Sequence, residues 1–457
     1  MSIIYSIIQK SQLEGAKRLD AEYYQPEYLL NSSKLEKFGF ETLQDLSISN
    51  ITKGETPLWR GDSYLDTGIP FLRSENLIFA STDLSNIVFI SEKVHERMKR
   101  SKILPNNVLL AIVGATIGHS GLVTDEYPEY NSNQAVAIVK PENEKYSCYL
   151  AIVLETKFCQ LQIERLKGGG ARDNLDLHEV RVLKIPKPDS EILNYCLEQI
   201  HKIRSLKKQS QIFYSQAENL LLEELGLKNF EEEDGLWSVV KLSEVKNVNR
   251  MDAEYFQPKY DKLISKINDR DSKTLENFVE EYSTGFPFKS ENYQEQGVPL
   301  IRINNIRKGF IDLRDTAYLS EKDYLLSPKD TANSGDIVLS MSGTIGMTAI
   351  IPENITKCSI NQRILRITPK DIDKNYLVLL LNSIIGSYQL ERIGTGGVQT
   401  NISYKDIKNI LIPILPKPTQ QKIAELVKQS HEARKKSKKL LEEAKQKVED
   451  LIENSGK

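Results

Sequence analysis

The sequence predicts an α+β chain. Two tandem, pseudo-twofold-related units of mixed α/β structure are joined by two long helices that form an antiparallel coiled coil. Three observations lead there. The first is an internal repeat: "RLDAEYYQPEY" (Arg18–Tyr28) returns 232 residues later as "RMDAEYFQPKY" (Arg250–Tyr260) in a chain of 457 residues. The second is a change of hydrophobic period within each half, from short strand-like runs to helical spacing. The third is a long helix with a three–four apolar seam at the end of each half.

The repeat continues in order. "PFLRSENL" (Pro70–Leu77) answers "PLIRINNI" (Pro299–Ile306), and "LLAIVGATIG" (Leu109–Gly118) answers "IVLSMSGTIG" (Ile337–Gly346). "NSNQAVAIVKP" (Asn131–Pro141) answers "CSINQRILRITP" (Cys358–Pro369), and "GGGARDNLDLHEV" (Gly168–Val180) answers "GTGGVQTNISYKDI" (Gly394–Ile407). The small drift in offset means that the halves differ by a few loop insertions. Two copies make a pseudo-dimer, not a solenoid. The segments ahead of the first match, "YSIIQKSQL" and "WSVVKLSEV", also correspond and are expected to be strands.

Inside each half, "NVLLAIVG", "QAVAIVKP", "GDIVLSMSG" and "RILRITP" are short apolar runs between turn residues and read as strands. One helix is expected over "CYLAIVLETKFCQLQIERLK" and one over "NYLVLLLNSIIGSYQLERI", each ending on a glycine cluster suited to a left-handed cap. Capping boxes follow at Asp176/Glu179 and Ser403/Asp406. A last strand ends at "IPKP" and "IPILPKP", where proline stops the pattern.

The long helices come next. In the second, Ile423, Leu426, Ser430, Ala433, Ser437, Leu440, Ala444 and Leu451 form the seam, with Lys447 the polar exception. In the first, Cys196, Ile203, Leu206, Phe213, Ala217 and Leu220 take the corresponding places. Serine and alanine on a seam imply close approach of two helices. Each helix of about 35 residues would be roughly 50 Å long, more than one globular unit of its size can cover, so the helices are expected to pair with each other. The expected boundaries are a first unit over 1–188, a first helix over 189–225, an acidic linker over 226–236, a second unit over 237–418 and a second helix over 419–453.

Composition narrows the function. Hydrophobic content of 40%, charged content of 27% and a net charge of −2 describe an ordinary globular chain without a global field for DNA or membrane. Any such binding must come from local patches. The four cysteines (Cys148, Cys159, Cys196, Cys358) form no C-x-x-C pair, which fits a reducing compartment. The N-terminus lacks signal-peptide features, and the longest apolar runs fall short of a membrane span. A soluble, cytoplasmic protein is expected.

Catalytic motifs are missing. There is no G-x-x-x-x-G-K-[ST] loop, G-x-S-x-G elbow, H-E-x-x-H or dinucleotide fingerprint. "GATIG" and "SGTIG" read as tight turns. None of the five histidines recurs in both halves. The repeated Asn133/Asn361, Gln134/Gln362 and Asn174/Asn401 suit turns and backbone bonding. The repeated Asp20/Asp252 and Glu22/Glu254 suit a docking segment. The chain is expected to bind, with no catalytic residue and no metal ligand of its own.

Three further motifs carry a resemblance: "G-x-P-[FL]-[LI]-R" (Gly68–Arg73, Gly297–Arg302), "G-T-G-G-x-Q-x-N-I-S" (Gly394–Ser403) and "IP-x-L-P…QQ-x-I" leading into the second helix. With the tandem layout they make the whole chain resemble the specificity subunit of type I restriction-modification systems. The first half departs from the pattern at "GGGARDNLD" and "IPKPDSEIL". The resemblance implies that each globular unit is a target recognition domain reading one half of a split site on double-stranded DNA. It implies that the helices form an antiparallel spacer docking two DNA adenine methyltransferase subunits, with motor-nuclease restriction subunits joining them. S-adenosylmethionine, ATP and Mg2+ would serve those partners, and this chain would hold no cofactor. The absence of N-P-P-[FY] or D-P-P-Y here agrees with that division.

The candidate DNA-binding residues flank the matched strands. They are Lys53, Arg60, Arg73, Ser74, Glu75 and Asn76 in the first unit, and Lys289, Arg302, Asn304, Asn305, Arg307 and Lys308 in the second. Lys167, Arg172, Gln399 and Thr400 in the glycine turns are added to them. Arginine can pair with guanine and asparagine with adenine, while lysine positions phosphate. The basic run "ARKKSKK" (Ala433–Lys439) reads as a solvated helix face. Two other assignments fit the same residues: the specificity chain of another methyltransferase-nuclease assembly, or a scaffold that binds proteins and not DNA.

Overall fold

The computed structural model describes residues 6–11, 13, 19–167, 174–230, 239–314, 316–394 and 401–454, apart from the side chains of Leu58 and Trp59. They form two compact units: Met1–Leu206 with Lys435–Lys457, and Lys207–Arg434.

The first unit is built on a four-stranded antiparallel sheet in the order Thr52–Lys53, Val136–Val139, Val108–Ala111, Ser120–Leu122. Its central strands are apolar without a break because both faces are covered. Val108, Leu110, Ala137 and Val139 face one core with the helices Glu144–Val153 and Lys157–Leu166. Leu109, Ala111, Val136 and Ile138 face the other, with Leu72, Leu77, Ile103 and Tyr130. Behind that second face lies a three-stranded sheet. There Ile69–Leu72 pairs antiparallel with Val88–Ile90 and parallel with Asn131–Ser132. A small pair, Phe40–Thr42 with Lys184–Pro186, joins the start and end of the globular part.

The second unit repeats this plan. Its main sheet runs Val279–Ser283, Ile364–Pro369, Ile337–Ser340, Thr348–Ile350. Its other sheet runs Ala317–Leu319, Val298–Ile301, Lys357–Ile360, Thr331–Asn333, and Ser272–Thr274 pairs with Leu411–Pro413. The expected capping boxes form: the Asp176 N–H donates to Glu179 at 2.8 Å and the Ser403 N–H to Asp406 at 3.2 Å. The glycines of "GATIG" and "SGTIG" make turns with positive φ, at +83° and +92° for Gly114 and Gly118 and +68° and +85° for Gly343 and Gly346.

Four expectations are corrected. The helix expected over 148–167 is two, broken between Val153 and Lys157, and its counterpart breaks at Ser383. The cause is tertiary. The Glu155 carboxylate accepts the Ser120 N–H and hydroxyl at 2.7 and 2.9 Å. In the second copy the Asn382 amide does the same work on Thr348, at 3.1 and 2.8 Å. The leading segments are not strands: Leu242–Val248 is a helix closed by Asn249 at φ +52°, and in the first copy the Leu13 N–H bonds the Gln9 carbonyl in helical fashion. Gly394 ends its helix at φ −55°, not left-handed. The matching cluster at 168–170 and part of the expected linker, 231–236, lie outside the described residues.

The long helices span Ser190–Glu224 and Lys417–Asn454. In the first unit Ile192, Cys196, Ile200 and Ile203 share a core with Leu441, Ala444, Val448 and Ile452. In the second, Ala217, Leu221 and Leu225 share one with Ile423 and Val427. There Ser210 and Ser430 meet hydroxyl to hydroxyl at 2.9 Å, and the Ser430 hydroxyl donates to the Ser210 carbonyl at 2.7 Å. Small side chains bring the backbones together, as the seam requires, and the pairing is antiparallel. The fourth correction concerns this seam. Val427, Leu441 and Ile452 are buried, whereas Leu426 and Leu440 are half-buried and Leu451 is exposed. In the first helix Ser210 and Leu221 are buried, and Leu206, Phe213 and Leu220 are half-buried. Adjacent apolar residues made either register plausible in one dimension. Packing on the globular cores selects the neighbour.

Burial pushes the Glu155 carboxyl above its ordinary value, and the Ser120 bonds only partly offset this. A raised folded pKa contributes stability that is present below the unfolded value and lost as pH rises through the folded one. Glu155→Gln is therefore expected to flatten the dependence of melting temperature on pH. Wild type should lose stability relative to the variant between the ordinary carboxylate range and neutrality, which melting curves across that range will measure.

Candidate nucleic-acid interface

Each unit presents a loop and a hairpin, and glycine and asparagine fix both. The chain leaving Thr52–Lys53 crosses the Ser132 carbonyl so closely that a Cβ on Gly54 would lie 1.6 Å from its oxygen. Gly285 makes the same crossing at φ +77°, where a Cβ would lie 2.0 Å from the Asn361 oxygen. The repeated Asn-Gln pair forms the floor of the crossing. The Asn133 side chain accepts the Ala135 N–H at 3.0 Å, the Thr56 hydroxyl bonds Gln134, and the Gln362 N–H donates to the Phe286 carbonyl at 3.0 Å. Asn174 and Asn401 bridge to Val113 and Ser342 through the backbone.

The loops beyond these crossings are tied down by charge and amide contacts. In the first unit Arg60 pairs with Glu55 at 2.8 Å and Arg97 with Asp62 at 2.6 Å, linking the loop to the helix Glu92–Arg97. In the second, the Asn292 amide donates to Asp323 at 3.2 Å on the helix Glu321–Tyr324. Lys53 and Lys289 are exposed beside these loops. The Thr52 hydroxyl bonds the Arg100 carbonyl at 2.9 Å, which brings the exposed Lys99 and Arg100 next to Lys53. Sequence reasoning missed Arg97, Lys99 and Arg100. Their signal was present as "RMKR" (Arg97–Arg100), a basic run that the second half replaces with "YLLS" (Tyr324–Ser327).

The hairpins Leu77–Thr82 and Ile306–Ile311 hang on one turn made twice. The Arg73 N–H donates to the Asn76 side chain at 2.8 Å, and that amide donates to the Asp83 carbonyl at 3.0 Å. Arg302, Asn305 and Asp312 repeat this at 2.9 and 2.9 Å. Asn76 and Asn305 are only 2% and 1% exposed. These two candidates are corrected: their amides are spent inside the protein and face no solvent. Arg73 is half-buried, bonding the Asn86 carbonyl at 3.1 Å and pairing with Glu75 at 2.7 Å. The Arg302 guanidinium lies 5.6 Å from the Tyr293 ring centroid. Arg307 folds back onto the Asn304 carbonyl at 2.7 Å, and Lys308 pairs with Glu218 at 3.1 Å. Lys167 pairs with Glu164 on its own helix end. Ser74 is half-buried; Glu75 and Asn304 are exposed. Arg172, Gln399 and Thr400 lie outside the described residues. The arrangement offers exposed cations on a rigid loop-and-hairpin platform. Among the described residues no group of three His, Cys, Asp or Glu side chains could hold a metal ion.

A family model described as "Type I restriction modification DNA specificity domain" matches residues 30–213 and again 267–446. The chain belongs to this family. Each match takes in one globular unit and runs into the long helix that follows it. The EcoBI specificity subunit of Escherichia coli is 27% identical over 190 residues, 39% of this chain and 40% of that one. The MjaVIII specificity subunit of Methanocaldococcus jannaschii is 33% identical over 38% of this chain and 43% of its own. This chain thus matches about two-fifths of the length of these two relatives. A putative MjaX specificity subunit of the same organism aligns over 84% of this chain and 86% of its own at 22% identity. Among solved structures, the type I restriction-modification S subunit from M. genitalium covers 91% of this chain and 95% of its own at 14% identity, with a TM-score of 0.39.

The two specificity-domain turns predict their own test. Asn76→Ala or Asn305→Ala leaves a buried N–H and a buried carbonyl without partners and should destabilise the chain by about 1–3 kcal/mol. Asn304→Ala, on the exposed neighbour, should stay within about 0.5 kcal/mol. Denaturant unfolding of the three variants measures the difference.

Proposed function

We propose that this chain is the DNA-reading subunit of a type I restriction-modification complex, with each recognition domain reading one part of a split target. The observation that carries this reading is a single specificity module occurring twice, with the same internal latches and different outward side chains. Gly54/Gly285 and Asn76/Asn305 repeat. The surfaces beside them do not: a basic run accompanies Lys53, whereas Lys289 and Asn304 stand in the second unit without such a run. Two equal scaffolds with unequal faces suit two unlike half-sites.

In this role the exposed lysines and arginines hold phosphates and set the register, and the loop and hairpin side chains meet base edges. The chain supplies no chemical step. Two DNA adenine methyltransferase subunits would flip out and methylate one adenine in each half-site, and restriction subunits would cut. S-adenosylmethionine, ATP and Mg2+ belong to those partners. No helix among the described residues is long and apolar enough to cross a membrane, which is compatible with work on cytoplasmic DNA.

Methylome sequencing of cells carrying this chain with its methyltransferase should show a split motif: two unlike specific parts, an unread gap, and one methylated adenine on each strand. A continuous motif, or a palindrome with identical halves, would refute the reading. At the level of one side chain, Lys53→Ala should weaken binding of the assembled methyltransferase to DNA of any sequence. It should lower the slope of log affinity against log salt by about one, which a titration across a salt series measures.

A further inference from the structure

The tip of the second hairpin, Lys308–Phe310, rests on the two long helices, and the residues that meet there all belong to the second unit. Lys308 pairs with Glu218 at 3.1 Å. Gly309, at φ +86°, comes so close that a Cβ there would lie 3.3 Å from the Tyr214 ring and 3.5 Å from His431 Nε2. The Phe310 ring centroid lies 3.8 Å from the Arg434 guanidinium. Tyr214 and Glu218 stand about one turn apart on the helix Ser190–Glu224, and His431 and Arg434 about one turn apart on Lys417–Asn454. Three consecutive residues of the hairpin thus meet four side chains from two helices.

The seat is polar, and it costs stability to keep. His431 Nε2 is buried and has no hydrogen-bond partner. Burial, and then the Arg434 charge, hold this imidazole down to about 4. Burial also pushes the Tyr214 phenol well above its ordinary range. A buried polar group without a partner is unfavourable, so a fold that keeps one calls for a reason. The first hairpin reaches the helices by other chemistry. There Ala80, at φ +53°, takes the place of Gly309. It shares a core with Ile200, Ile203, Leu441 and Ala444, and Phe79 packs against that core.

The second hairpin therefore has two supports. Asn305 latches its base to the Asp312 carbonyl at 2.9 Å, and the helices hold its tip. Arg307 lies between the two. Base recognition needs side chains held in place by the structure behind them. We propose that Tyr214, His431 and Arg434 are positioning residues for the second recognition domain: they seat the hairpin tip on the helices and so set how one half of the target is read. The proposal rests on the DNA-reading function above.

The full chain with its methyltransferase subunit tests this through a discrimination ratio. The ratio is the methylation rate of the intact target over that of duplexes with one base changed in either half. Loss of folded protein scales both rates and leaves the ratio alone. The half read by the second unit is the one that stays the same when residues 20–188 are exchanged for those of a related chain. At that half, Tyr214→Ala with His431→Ala should lower the ratio roughly tenfold, because a displaced base contact forfeits its discrimination. At the other half the ratio should not change. Arg434→Ala, a milder change, should lower the same ratio and serves where the double variant does not fold. Tyr214→Phe keeps the ring against Gly309 and should read like wild type. An unchanged ratio in the double variant and in Arg434→Ala, or an equal fall at both halves, would overturn the positioning proposal and leave the functional reading intact. A wild-type chain that discriminates at neither half would overturn the functional reading itself.

Discussion

Burial of the C-terminal helix against the first unit is the interaction on which the rest depends. Leu441, Ala444, Val448 and Ile452 complete a core whose other members come from residues 35–203. The same stretch carries Glu449, a buried carboxylate that accepts the Lys157 N–H at 2.7 Å. That N–H opens the helix Lys157–Leu166, whose own N-cap, Thr156, makes no capping bond. A residue 292 positions downstream therefore caps a helix of the first unit. The core of the first unit therefore includes contacts of very large sequence separation, which slow folding for a given size.

The second unit depends on the same exchange. Ala217, Leu221 and Leu225 belong to the helix that follows the first globular part, yet they lie in the core of the second. Serine at 210 and 430 matters for this reason. A larger pair would hold the helices apart and pull one or both from the cores they complete, since interiors relax only partly around added volume.

The repeat was legible because it is covalent fact. So were the capping boxes and glycine turns, whose residue types answer to local geometry. What escaped the sequence was decided by distant atoms. "YLAIVLETKF" has no breaker, and its break at Glu155 exists because Ser120 lies within reach. Leu426 and Val427 are equally apolar, and only the depth at which each packs on the same core separates them. Asn76 looked like a reader of adenine because asparagine near arginine in a loop often is one. Its burial follows from Asp83, seven residues on, whose carbonyl it holds. That signal could have been found: Arg-x-x-Asn followed seven residues later by Asp stands in both halves, at Asp83 and Asp312. A side chain repeated with its partner is more often scaffold than reader when the two halves are expected to read different sequences.

The near-zero net charge then acquires a physical role. Several cations of these surfaces are already answered by a carboxylate: Arg60 by Glu55, Arg97 by Asp62, Arg73 by Glu75 and Lys308 by Glu218. Such pairs are largely solvent-exposed and individually weak, so they cost little to rearrange, yet they hold long side chains in place before any ligand arrives. A phosphate competing for these guanidinium groups displaces a carboxylate and gains less than it would from a free arginine. In the proposed DNA-reading role, non-specific binding would be lowered everywhere, whereas a correct half-site would add base contacts that random DNA cannot. Under the proposed reading of a rare split site among many wrong ones, weak attraction to DNA in general is an advantage, and the paired acids beside the basic loops provide it.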